Sequence, residues 1–119
     1  GSLPRNVAIE RTMALVAFGA LSMDEAVIKL SYTPSRMLGL LSKGHFTEGA
    51  DADITVIDPA TGRASMSLVA GELIMYMGRA IGKGGTWLVL EEGRGVAESS
   101  GLPFEVMELE NSQLYEHWE

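Results

Sequence analysis

Apolar residues gather in broad runs near the start of the chain and in short β-branched runs further on, and the two patterns predict different structures. From Val7 to Phe18, Val7, Ala8, Ile9, Met13, Leu15, Val16, Ala17 and Phe18 recur at helical spacing over a wide face. Pro4 suits a first helical turn, and Gly19 suits the left-handed residue that closes a helix. Ser22-Met23-Asp24-Glu25 forms a capping box. The Ser22 hydroxyl can accept from the Glu25 amide while the Glu25 carboxylate reaches back to the Ser22 amide, starting a second helix through about Leu30. Thr33 as N-cap, with Pro34 at the first helical position, predicts a third short helix ended by Gly39.

After Leu41 the vocabulary changes. Lys43 to Gly49 is a turn-rich connection with glycines at 44 and 49. Ile54-Thr55-Val56-Ile57 reads as a strand closed by Asp58-Pro59, and Ala60-Thr61-Gly62-Arg63 turns the chain. Ser67–Ala70, Leu73–Met77 and Thr86–Leu90 are further strands, punctuated at Gly71, Gly78 and Gly82-Lys83-Gly84-Gly85. Helices first and strands afterwards, without alternation, predict an α+β chain with a small antiparallel or mixed sheet.

Charge divides the chain again. Residues 1–90 are neutral as a block, so the formal charge of −7 belongs to residues 91–119, where eight glutamates face Arg94 alone. This predicts a solvated, partly ordered acidic C-terminal extension over 92–119, to which Leu109, Leu114, Tyr115 and Trp118 lend apolar grip. Nucleic-acid binding is excluded, because it needs clustered Lys and Arg. At 119 residues the chain is sized for one modest core, and its 46% hydrophobic content rules out a disordered class. No apolar run approaches the roughly 20 residues of a membrane span, and no secretory leader pattern opens the chain. Gly1-Ser2 without Met reads as a tag remnant, with the natural start elsewhere. The absence of cysteine removes disulfides, thiolate metal sites and thiol nucleophiles, and with the missing leader predicts a cytoplasmic location.

The candidate chemical motifs fail one by one. Gly78 stands one residue too close to Gly82-Lys83 for a phosphate loop, and Gly84 supplies no hydroxyl for magnesium. Gly82–Gly85 precedes a strand, not a helix, so it reads as a glycine-rich hairpin and not a dinucleotide fingerprint. Asp51-Ala52-Asp53 lacks the glycine and terminal glutamate of a calcium loop and reads as a strand-entry turn. His45 reads as a turn histidine, His117 as a solvated end, and Met75-Tyr76-Met77 as core or interface filling.

Residues 33–59 carry more information as a unit. Thr33-Pro34-Ser35-Arg36-Met37-Leu38-Gly39-Leu40, followed by Lys43-Gly44-His45-Phe46-Thr47-Glu48-Gly49-Ala50-Asp51-Ala52-Asp53-Ile54 and Asp58-Pro59, resembles the C-terminal signature of the amidohydrolase superfamily. That superfamily includes dihydroorotases, hydantoinases, D-aminoacylases and enamidases. Thr33-Pro34-Ser35 stands where the family has Asn-Pro-Ala. Leu21-Ser22 with Glu25-Ala26 resembles the final barrel helix more loosely, and Val69, Gly71 and Ile74 resemble a strand turn of the small domain.

The resemblance implies that residues 1–41 are the end of a (β/α)₈ barrel and that 42–91 belong to a composite β-sandwich. It also implies a parent enzyme that hydrolyses amide or cyclic-amide C–N bonds with water activated by a divalent metal, typically zinc. The family's metal donors do not carry over: the chain has two histidines and no His-x-His pair. The expectation is a structural, catalytically inert C-terminal fragment with no catalytic, cofactor-binding or metal-binding residue of its own. The alternative is a free-standing binding or assembly module. Severed sheet edges and apolar faces predict a homodimer, with no nucleic-acid or membrane partner.

Overall fold

The computed structural model describes residues 7–113; Pro4, Leu114, Tyr115, His117 and Trp118 lie outside the described residues. Helix α1 spans Ala8–Phe18. It closes as the sequence predicts, with Gly19 at φ 86° and the amides of Gly19 and Ala20 returning to Val16 O and Leu15 O. This is a Schellman ending, satisfying carbonyls that the helix leaves unpaired. The capping box is also present. Glu25 N donates to Ser22 Oγ at 3.1 Å, and Ser22 N donates to Glu25 Oε1 at 3.2 Å. It opens α2, Met23–Val27.

The third helix does not restart at Thr33. A π-helical segment, Ile28–Tyr32, joins α2 directly to α3, Thr33–Met37, and Thr33 keeps right-handed angles (φ −60°, ψ −49°) instead of capping. Pro34 supplies the reason. It has no amide proton, and within an α-helix its ring would press on the carbonyl four residues back. The wider π turn, in which Thr33 N reaches Ile28 O, lets the helix run through the proline without a break. Gly39 then ends it at φ 71°, with Gly39 N on Arg36 O and Leu40 N on Ser35 O.

The sheet is an antiparallel meander, β1 (Ile54–Asp58), β2 (Arg63–Val69), β3 (Glu72–Tyr76) and β4 (Arg79–Ala80), hydrogen-bonded in that order. Two-residue turns join β2 to β3 and β3 to β4. Ala70 (φ 50°) with Gly71 (φ 79°), and Met77 (φ 51°) with Gly78 (φ 78°), hold the paired left-handed conformation that matches strand twist. The short helices and small sheet make the α+β arrangement that the pattern implied.

The glycine-rich segment is not a hairpin. After β4 the chain crosses the sheet, with Ile81 N and Gly82 N both donating to Ile74 O, and enters β5 (Trp87–Val89), which pairs with β6 (Phe104–Val106) and not β4. A side chain at Gly84 would come within 2.9 Å of Ile74 Cγ2 and 3.2 Å of Val69 Cβ. The glycine is therefore needed for close passage over β2 and β3, not for a turn. Strands β5 and β6 (Phe104–Val106) are parallel, joined through a 3₁₀ turn and α4 (Arg94–Ser100). Parallel pairing demands such a crossover. The acidic stretch is thus folded at least to Gln113, whose amide donates to Arg36 O at 3.1 Å.

The described core is thin. Its buried apolar residues are Met13, Ala26, Leu40, Val89 and Ala97, and no large side chain is fully enclosed. Phe18 and Phe46 are 88% and 87% exposed. Hydrophobic burial alone does not hold the segments together, so the polar links between them matter more than usual.

Candidate functional site

The densest chemistry lies in the connection between α3 and β1. Arg36 leaves α3 into a buried position, 8% exposed, where Nη2 donates to Leu40 O at 2.9 Å and Lys43 O at 2.8 Å. Its guanidinium lies 5.2 Å from the Tyr32 ring centre, a cation–π contact from one turn earlier in the helix. A planar, permanently charged group can donate to both carbonyls through one nitrogen while its face rests on a ring. Arg36 therefore sets the path of Leu40–Lys43. Gly44 follows at φ 79°, where a Cβ would sit 2.7 Å from Ser35 Oγ and 2.8 Å from Ser31 O. The connection packs directly on the helix backbone, and only glycine fits there.

Lys43 turns the other way. Its Nζ lies 2.9 Å from Asp51 Oδ2 and 2.6 Å from Asp53 Oδ2. Ser42 Oγ donates to Asp51 Oδ2, Ser42 O accepts from Asp51 N, and Asp53 Oδ1 accepts from Ala70 N at 2.9 Å. Gly71 N donates to Ala52 O. The Asp51-Ala52-Asp53 turn is thus a clasp between the helical segment and the β2–β3 turn, and it supports Ala70 in its left-handed conformation. Burial works to lower the Lys43 pKa, but hydrogen bonds to Asp53 and Asp51 outweigh it and hold the lysine above its ordinary range. The Lys43 hydrogen bond depresses both carboxyls, helped by Ser42 at Asp51 and by the Ala70 amide at Asp53.

This arrangement positions backbone. Lys43 is engaged by two carboxylates, so it offers no free amine for nucleophilic or base chemistry. His45 sits in its turn with Nε2 at 2.7 Å from Leu41 O and Nδ1 accepting from Thr47 N at 3.3 Å. Both ring nitrogens have local partners, as the turn reading expects. Among the described residues no three His, Asp or Glu side chains converge as metal ligands would. A shallow cleft of about 370 Å³ opens beside the clasp, between the β1–β3 face and Gly85–Leu88, with Lys43 and Asp53 at its edge. Its other polar groups are the hydroxyls of Thr55, Ser67 and Thr86. Asp51-Ala52-Asp53 reads from the sequence as a strand-entry turn, but the tie from Asp53 to Ala70 N and the buried place of Arg36 are not legible there. The available signal for Arg36 was a lone cation in an apolar turn, three residues before a helix-ending glycine.

No family model matches the chain. It is 38% identical over 87 residues to the dihydroorotase of Pelotomaculum thermopropionicum, covering 71% of this chain and 20% of that protein. It is 43% identical over 58 residues to the dihydroorotase of Methanothermobacter thermautotrophicus, covering 48% and 14% respectively. The dihydroorotase of Pelobacter propionicus is 41% identical over 59 residues, covering 50% of this chain and 14% of that protein. The matches span a fifth or less of these relatives' length. The resemblance read from residues 33–59 is borne out as a likeness: over part of its length the chain is similar to dihydroorotases.

Proposed function

We propose that this chain is a C-terminal portion of a dihydroorotase-like amidohydrolase, in which it is structural and catalytically inert by itself. On this reading α1 to α3 are the closing helices of a (β/α)₈ barrel, and β1–β4 contribute to the small β-sandwich. The parent enzyme would hydrolyse a cyclic-amide C–N bond with water acidified by a divalent metal, typically zinc. The residues present here do not fit that metal site: Lys43 is held by Asp51 and Asp53, and His45 by its own turn. The observation that carries the reading is the use to which the signature is put. Arg36 and Asp53 hold backbone groups and Lys43 is tied to Asp51 and Asp53, while two histidines in the whole chain are too few for a two-metal centre.

The isolated chain, given zinc or manganese and a panel of cyclic amides, is expected to show no turnover; turnover by the chain alone would overturn inertness. The coding sequence upstream of Leu3 is expected to encode a His-x-His pair at the end of a first barrel strand. A second reading, a free-standing assembly module, is favoured by the β5–α4–β6 unit, which lies beyond the residues that carry the signature. An intact reading frame opening near residue 1, with no barrel-coding sequence before it, would select that reading.

A further inference from the structure

We propose that the β3–β4 hairpin docks on the acidic β5–α4–β6 unit of a second copy of this chain. Two independent features of the hairpin point outward. Met77 occupies a left-handed turn position (φ 51°), which costs a bulky residue conformational energy and suits Gly or Asn, and yet its side chain is 71% exposed. Backbone strain that displays an apolar side chain to solvent has a rationale where that side chain meets a partner. Tyr76 and Ile81, 49% and 58% exposed, add apolar side chains within the same stretch of chain.

The second feature is charge. Arg79 and Lys83 flank this surface, and among the described residues neither has an ion-pair partner. The β5–α4–β6 unit has the opposite character. Val96 and Leu102 are 64% and 59% exposed, and among the described residues Glu92, Glu98 and Glu105 form no ion pair. An apolar tip rimmed by bases thus has, on the same molecule, an apolar surface rimmed by acids as its complement. Contacts of this kind combine burial of apolar anchors with charge steering, and a two-fold axis forms them twice. This inference does not depend on the family reading.

Light scattering on the full chain tests it. The expected result at about 50 mM salt is a mass that rises with concentration toward twice 12.8 kDa, with dissociation on raising salt to about 0.5 M. Met77→Gly removes the anchor while relieving the turn, so association should weaken about tenfold without loss of thermal stability. Arg79→Glu with Lys83→Glu should abolish association, and adding Glu98→Lys with Glu105→Lys to the same chain should restore it. A monomer at every concentration would overturn the proposal. So would association that ignores salt and these variants but is lost in Phe18→Ser, because that would place the contact on α1.

Discussion

Residues 36–53 and 76–83 are both mostly irregular chain, yet they are organised by opposite means. The first is tied at almost every turn: Arg36 to two carbonyls, Lys43 to two carboxylates, Asp53 to a strand turn, Gly44 against the helix. The second presents Tyr76, Met77 and Ile81 to solvent and leaves Arg79 and Lys83 unpaired among the described residues. The contrast shows where a chain with a thin core finds its order. Directional polar links can fix a connection without a large apolar volume, whereas an exposed apolar turn gains nothing until another surface covers it.

The largest effect expected from breaking this contrast is at Arg36. Arg36→Ala removes the side-chain donor of the buried Leu40 carbonyl and the part-buried Lys43 carbonyl together with the contact to Tyr32, and a loss of about 3 kcal/mol is expected in urea unfolding. Arg36→Lys should recover only part of it, because an ammonium has no flat face to rest on the Tyr32 ring while it donates. Gly44→Ala comes next, at about 2–3 kcal/mol, since it adds a steric clash to a left-handed backbone. Gly49→Ala carries only the backbone cost at φ 87°, with open space around its Cβ, so about 1 kcal/mol is expected there. Equal losses at the two glycines would refute the close packing of the connection on α3.

The clasp sharpens the comparison through pH. Asp51 and Asp53 titrate below their unfolded value of about 3.9, so the stability they add is present above that value and lost as pH falls through their folded values. Lys43 is shifted upward, so its contribution persists below about 10.4 and is lost only as pH rises through the higher folded value. Asp53→Asn should flatten the acid limb more than Asp51→Asn, because Asp53 also accepts from Ala70 N. Partial exposure limits each pair to about 0–1 kcal/mol, measurable as melting temperature against pH. The smallest expected effect has the opposite sign: Met77→Gly should stabilise the folded chain by up to about 1 kcal/mol.

Local rules made much of the molecule legible. The Ser22 capping box, the endings at Gly19 and Gly39, the strand opening at Ile54 (read as far as Ile57 and running to Asp58) and the turn at Gly71 each depend on a few neighbouring residues. Where two local rules competed, helix geometry arbitrated. Thr33-Pro34 has the composition of a helix start, but the π turn before it let one helix continue.

The amino-acid sequence by itself determined the α+β order, the helix caps, the kinship of residues 33–59 and the shortage of metal donors, because these reside in short spacings and in composition. Only the tertiary structure decided that Gly82–Gly85 crosses the sheet, that β5 pairs in parallel with β6, and that Arg36 and Asp53 lock the connection. Each of these brings together groups that are either far apart along the chain or directed by a fold not yet formed. No local spacing encodes where such a side chain will find its partner.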